Sequence, residues 1–356
     1  MQTPEQDDRM NAVRQWLSER RGEPVELAVQ GKPGSGFSAD NLIFTATAGE
    51  RSSTHVLRVE SSNEPPYPEQ APGLGTGVAL QTRVMAAIAD RVPVAPLVGV
   101  ELDPAVLGAP FVVMDFVDGV VPKEMPPCTA EGFYAEAAPS LRNNMIRSGI
   151  GAMAALHSVP WRDRGLTDLA ATSGPRGAAR QFALWDAHLR AGLRGRDAEI
   201  YRSTRAWLQA NMPPEPADED LVLLWGDARL GNVIWDAESG TPVCVTDFEG
   251  ASIGECELDV GWWLMADRWM HEGSGVARLE GEPTRAEQVA VYEAAAGRRV
   301  ADLHWYEVFA AYRFAVTVVV VMNNWESAGV APSDHTVWRD NPATELIPAI
   351  LDGGSR

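Results

Sequence analysis

Lysine is nearly missing from this chain: of 30 basic residues, all but Lys32 and Lys123 are arginine. Chemistry that needs a lysine amine has only those two candidates. Cysteine is scarce as well. Cys128, Cys244 and Cys256 are far apart, odd in number and never spaced Cys-x-x-Cys, which argues against a disulfide framework or a thiolate zinc site and fits a reduced, cytoplasmic protein. Positive charge is in deficit. The formal net charge is −19, which argues against general affinity for nucleic acid or an anionic membrane surface, since a phosphate-binding footprint needs clustered Lys and Arg, and neither is expected as a partner. The longest apolar run, residues 314–322, falls far short of the roughly 20 residues of a membrane helix and reads as a buried one. The N-terminal MQTPEQDDRM is acidic and lacks the apolar centre of a signal peptide.

What is present is a globular composition, 45% hydrophobic over 356 residues, long enough for two lobes rather than one. Met10, Val13, Trp16 and Leu17 give a short amphipathic helix over 10–21. Strands are expected at 25–29, 41–47 and 54–59, with Gly31-Lys32-Pro33-Gly34-Ser35-Gly36-Phe37-Ser38 between the first two. A glycine-rich turn between strands lets backbone N–H groups approach phosphates without side-chain obstruction. It is not a Walker A loop, because Phe37 and Ser38 lead into a strand and no Gly-Lys-Ser/Thr opens a helix. A Pro/Gly/Ser-rich loop fills 61–77, Leu80, Val84, Met85 and Ile88 share one helical face, and 97–102 and 110–116 read as further strands. Strand signals stop after Asp118-Gly119, so the lobes are expected at 1–117 and 118–356. Beyond that boundary the pattern is helical, with one long helix over 131–157, others at 176–191, 196–211, 259–270, 285–295 and 302–325, and an acidic, proline-rich linker at 212–220. No internal repeat is found. The fold class expected is α+β in two lobes with a cleft between them.

Residues 221–259, LVLLWGDARLGNVIWDAESGTPVCVTDFEGASIGECELD, stand out. Asp227 and Asn232 lie five residues apart after one apolar run, and a second run, Val243-Cys244-Val245, ends in Thr246-Asp247-Phe248-Glu249. If the two runs pair, a carboxylate, an amide and a second carboxylate converge. Those are the groups that phosphoryl transfer needs, since its catalysis is mostly positioning and charge neutralisation. Asp227 would orient and accept the proton of an attacking hydroxyl. Asn232 and Asp247 would ligate Mg²⁺, a hard cation content with few protein oxygens. Singly, each is an ordinary turn residue; it is their joint spacing that carries the reading. His157 reads as a structural, helix-terminal histidine, Trp262 and Trp263 as core with one free to line an acceptor pocket. Asp259 is expected either to cap the following helix or to hold the loop of Asp227.

The chain here resembles the aminoglycoside phosphotransferase-like kinases, which share the protein-kinase-like fold with choline and homoserine kinases. The resemblance rests on Gly226-Asp227 followed by Asn232, on Asp247-Phe248-Glu249, on the run from Gly254 to Asp259, on Leu107 through Met114 and on Ala155-Leu156-His157. It covers about 31–263. Within that family the chain is most similar to the branch found fused to acyl-CoA dehydrogenases. The resemblance implies a small antiparallel-sheet N-lobe and a larger, mainly helical C-lobe. It also implies Asp227 as catalytic base, Asn232 and Asp247 on Mg²⁺, and ATP (or GTP) under Gly34, Ser35, Gly36, Phe37 and Ser38 with its base against Met114, Asp115, Phe116 and Val117.

Three positions depart from the family pattern. Trp225 stands where the family has His, Arg58 where a strand lysine grips phosphate, and Gln81 where a glutamate pairs with that lysine. Arg58 can bind phosphate bidentately but is not equivalent to lysine. The expected activity is Mg²⁺-dependent transfer from ATP to a hydroxyl of a small molecule, with an amino sugar, an amino alcohol or a hydroxyacyl-CoA-like compound as acceptor. Arg58 and Gln81 motivate the alternative of a nucleotide-binding pseudokinase. Oligomeric state is not legible.

Overall fold

Alternation of apolar and polar residues builds the first sheet. In the computed structural model, which describes residues 4–32, 39–171 and 173–353, strands β1 (Glu26–Gly31), β2 (Ala39–Ala48), β3 (Arg51–Glu60), β4 (Leu97–Glu101) and β5 (Phe111–Asp115) form one antiparallel sheet in the order β1-β2-β3-β5-β4. Leu42, Phe44, Ala46, Leu57, Val59, Phe111 and Val113 are all buried on it. Helix α1 (Pro4–Arg21) closes this core with Met10, Val13, Trp16 and Leu17, and the Trp16 indole N–H donates to Glu101 Oε2 at 2.9 Å. Helix α2 (Val78–Ile88) starts where the Val78 amide donates to the Glu60 carboxylate at 2.9 Å, a side chain taking up one of the helix's free N-terminal donors.

The remainder is mostly helical: α3 (Phe133–Glu136), α4 (Pro139–His157), α5 (Gly177–Leu193), α6 (Glu199–Ala210), α7 (Glu257–His271), α8 (Arg285–Ala296), α9 (His304–Ser327) and α10 (Pro342–Leu351). The helix expected over 131–157 is two. Ala137 and Ala138 are extended, with ψ of 153° and 147°, because a proline disfavours helical geometry in the residue before it, whereas Pro139 itself suits the first turn of α4. Helix α10 had no counterpart in the sequence reading. It is opened by Asn341, whose side chain accepts from the Ala343 and Thr344 amides. Helix α9 is long and apolar enough to cross a membrane, yet 78% of its most apolar window is buried. It packs against α5, α6, α7 and α10 and forms the centre of this part of the core.

The chain divides into two compact units, one of Met1–Asn63, Gly77–Arg83 and Ala95–Val117, the other of Glu64–Thr76, Val84–Val94 and Asp118–Arg356.

Two small antiparallel pairs carry the polar loops of the second unit. Strand β6 (Leu221–Leu224) pairs with β9 (Ser252–Glu255), and β7 (Val233–Trp235) with β8 (Pro242–Val245). The two apolar runs of 221–259 therefore do not pair with each other, as the sequence had suggested. Each run takes a partner from the opposite half of the stretch, and the loops meet where the two pairs adjoin.

Candidate active site

The loop after β6 turns at Gly226, with φ 87°. A Cβ there would lie 2.0 Å from the Gly250 carbonyl oxygen, so only glycine lets the loop of Asp227 touch the loop of Asp247 backbone to backbone. The turn is clamped from beneath by Asp259, fully buried in the first turn of α7. Its Oδ2 accepts the Trp225 amide at 2.6 Å and its Oδ1 the Gly226 amide at 2.9 Å. Of the two roles expected for Asp259, it takes the second, since Cys256 occupies the cap position. His157 sits behind it, Nε2 3.0 Å from Asp259 Oδ2 and Nδ1 2.7 Å from the Tyr292 hydroxyl, as a structural histidine does.

Asp227 is 2% exposed. Its Oδ1 accepts from Arg229 Nε and from the Trp262 indole N–H, both at 2.8 Å, and its Oδ2 from the Asn232 amide nitrogen at 2.7 Å. Tyr67 also hydrogen-bonds the carboxylate. Burial, and after it the neighbouring Asp247 charge, push the Asp227 carboxyl up to about 7, against the pull of the Tyr67, Asn232 and Trp262 hydrogen bonds. A buried carboxylate held by four side chains and raised above the usual carboxylate range has the properties of a general base.

Asp247 adopts a left-handed conformation, φ 64°, unusual outside glycine. The Trp225 indole N–H donates to the Thr246 carbonyl at 2.8 Å and to the Asp247 carbonyl at 3.2 Å. The Thr246 amide donates in turn to the Asn232 carbonyl at 2.9 Å. Asn232 and Asp247 are thus tied to the same junction. The Asp247 Oδ1 is buried without a hydrogen-bond partner, and Asn232 spends its amide nitrogen on Asp227, leaving the amide oxygen as its remaining acceptor. One orphaned carboxylate oxygen plus one amide oxygen is a donor set that fits Mg²⁺ keeping several waters. Glu249 is buried rather than facing solvent. Among the described residues no cluster of three or more His, Cys, Asp or Glu suits a metal.

Sequence reasoning missed three contributors. Arg313 of α9 donates to the Gly226 carbonyl at 2.6 Å and lies over the Trp262 ring at 4.5 Å; a lone arginine inside a largely apolar helix was the available signal. Tyr67 is buried although its surroundings read as a proline-rich loop, and nothing in the sequence marked it. Arg229, two residues after Asp227, bears on its carboxylate from within the same turn.

The residues expected at a nucleotide belong to the other unit. Arg58 lies on β3 opposite Asn41 and Val112, half-buried, and Gln81 is buried on α2. Met114 and Asp115 end β5, Asp115 Oδ1 being 3.0 Å from His55 Nδ1; Phe116 is exposed and Val117 half-buried. Gly34, Ser35, Gly36, Phe37 and Ser38 lie outside the described residues.

A family model described as the phosphotransferase enzyme family matches residues 31–309. The chain belongs to that family. A phosphotransferase-family structure from Ralstonia eutropha, assigned as an aminoglycoside phosphotransferase, aligns with a TM-score of 0.69 at 24% identity, covering 97% of this chain and 96% of that one. The spectinomycin phosphotransferase APH(9)-Ia, solved with ADP and spectinomycin, aligns at 0.54 and 10% identity over 96% and 98%. These likenesses show the α+β, kinase-like fold. Among curated proteins, the probable acyl-CoA dehydrogenase IBR3 of Arabidopsis thaliana is 24% identical over 277 residues, 73% of this chain and 32% of the relative. The chain therefore spans about a third of that relative's length.

Proposed function

We propose that this phosphotransferase-family protein moves the γ-phosphoryl group of ATP to a hydroxyl of a small molecule in a Mg²⁺-dependent reaction. The observation that carries the reading is the junction of Asp227, Asn232 and Asp247: a buried carboxylate fixed by four side-chain donors beside a second carboxylate with an unpartnered oxygen. Asn232 and Asp247 would hold Mg²⁺, which when bound neutralises charge on the phosphate oxygens. Asp227 accepts the acceptor's hydroxyl proton as the new O–P bond forms and the bond from the γ-phosphorus to its bridging oxygen breaks, releasing ADP. Asp259, Trp225 and Arg313 keep the two loops in register, so that little reorganisation is needed during transfer.

The ADP and spectinomycin bound by the APH(9)-Ia neighbour support a nucleotide donor and a small hydroxylic acceptor here. The pseudokinase alternative keeps a specific motive in Arg58 and Gln81. One experiment separates them: Mg²⁺–ATP thermal stabilisation, followed by ADP release across amino sugars, choline, neutral alcohols and hydroxyacyl-CoA compounds. Turnover that falls by about 10²–10⁴ in Asp227→Asn supports catalysis by general base. Nucleotide stabilisation with no turnover on any acceptor supports the pseudokinase.

A further inference from the structure

We propose that the Tyr67 hydroxyl stands on Asp227 in the place of the acceptor hydroxyl, and that residues 64–76 form a strap that has to let it go before transfer. The proposal rests on the phosphotransferase reading above. It stays within the second unit, to which Tyr67, Asp227 and every contact named below belong.

Hydrogen-bond accounting singles out this residue. The two oxygens of a carboxylate offer about four lone-pair positions. Asp227 accepts from Arg229 Nε, Trp262 Nε1, Asn232 Nδ2 and the Tyr67 hydroxyl. With those positions engaged, an incoming hydroxyl finds no lone pair to take its proton, so one donor has to withdraw. Three of the four are poorly placed to do so. Asn232 and Arg229 belong to the loop of Asp227 itself, and the Asn232 carbonyl also accepts from the Thr246 amide at 2.9 Å. Trp262 is 3% exposed within α7. Tyr67 alone reaches the carboxylate from a separate stretch of chain, and it alone presents an O–H, the group that an acceptor would bring. Burial, and after it the Asp227 and Asp247 charges, push this hydroxyl well above the ordinary phenol range. It therefore keeps its proton and competes as a donor rather than serving as a second base.

The strap is held by few bonds. Tyr67 sits in Pro65-Pro66-Tyr67-Pro68, where each proline fixes its own φ and biases the residue before it towards extended backbone, so the segment crosses the site without coiling. The Tyr67 ring meets Trp185 edge-on, 5.7 Å between centroids. On one side of it the Glu64 amide donates to Asn324 Oδ1 at 3.1 Å, and Asn324 Nδ2 donates to the Glu64 carbonyl at 2.8 Å. On the other side Gln181 Nε2 donates to Gln70 Oε1 at 2.7 Å. Residues 64–76 contain no helix or strand of their own. A segment fastened by side chains rather than by a backbone ladder is one that opens locally at low cost.

The test is ADP release from Mg²⁺–ATP with water as the only acceptor, by the full wild-type chain and by Tyr67→Phe, which keeps the ring and removes the hydroxyl. With one hydrogen bond to the charged base gone, the variant should release ADP about tenfold faster. Gln181→Ala leaves Tyr67 in place and cuts one fastening. It should show faster amide exchange over 64–76 and a smaller rise in the same direction, and it decides the matter if Tyr67→Phe does not fold. Release no faster than wild type in Tyr67→Phe, or in Gln181→Ala if it alone folds, with melting still raised by Mg²⁺–ATP, overturns the strap and leaves the phosphotransferase reading intact. A wild-type chain whose melting does not respond to Mg²⁺–ATP overturns that reading and the strap together.

Discussion

Trp225 aims its indole N–H at the Thr246 and Asp247 carbonyls. This donor holds the backbone on which Asp247 is turned into its left-handed conformation. Trp225→Phe keeps the ring and loses the N–H, and it should raise the Mg²⁺ needed for ATP stabilisation by about tenfold, the usual cost of removing a group that orients a metal ligand. Trp225→His, with an N–H restored, should recover part of the loss; equal Mg²⁺ dependence in all three would reduce the tryptophan to packing. Gly226 is the second sensitive point. Ala there meets both a positive φ and the Gly250 carbonyl, so urea unfolding should show a loss of at least about 2 kcal/mol. That Asp227, Asn232 and Asp247 come together was expected from their short spacing, although the strands that bring them together pair differently than expected. Arg313 was not, since it reaches Gly226 from 87 positions away and only the packing of α9 brings it there.

Helix α7 carries the site at one end and a titratable lock at the other. Its last residue, His271, faces Glu282. Burial alone would lower the histidine, but the Glu282 hydrogen bond and charge outweigh it and raise it above 6.5. For Glu282, burial acts upward, and the His271 and Tyr134 contacts outweigh it and leave the carboxyl below 4.5. The raised histidine contributes stability that is complete below pH 6.5 and lost as pH rises through its folded value. The lowered glutamate contributes stability that is complete above pH 4.5 and lost as pH falls through its own. Both contributions are complete between 4.5 and 6.5. Chemical denaturation across pH should show Glu282→Gln destabilised by about 2 kcal/mol in that window and losing less than wild type above it; parallel curves would contradict the pairing. Helices with strong periodicity were readable from sequence, as α7 to α9 illustrate. The break before Pro139 was hidden by apolar residues continuing across it, and α10 by a short pattern whose start depends on the Asn341 cap.

Across the whole molecule, a strand-rich beginning and a helical remainder were legible from the order of patterns alone. The crossing of Glu64–Thr76 and Val84–Val94 into the second unit was not. It depends on contacts such as Gln181 to Gln70 at 2.7 Å and on Tyr67 meeting Asp227, which no local pattern announces. The strand exchange within 221–259 was hidden for the same reason: β6 and β9 are buried throughout, with no alternation to mark which run each faces. The most direct measurement is ADP release from Mg²⁺–ATP by wild type and by Asp227→Asn, both first shown to melt alike and to be stabilised by Mg²⁺–ATP, with the best acceptor of the panel. The structure predicts retained nucleotide stabilisation and turnover reduced by about 10²–10⁴ in the variant; full turnover by the folded variant would contradict Asp227 as the base and with it the proposed mechanism.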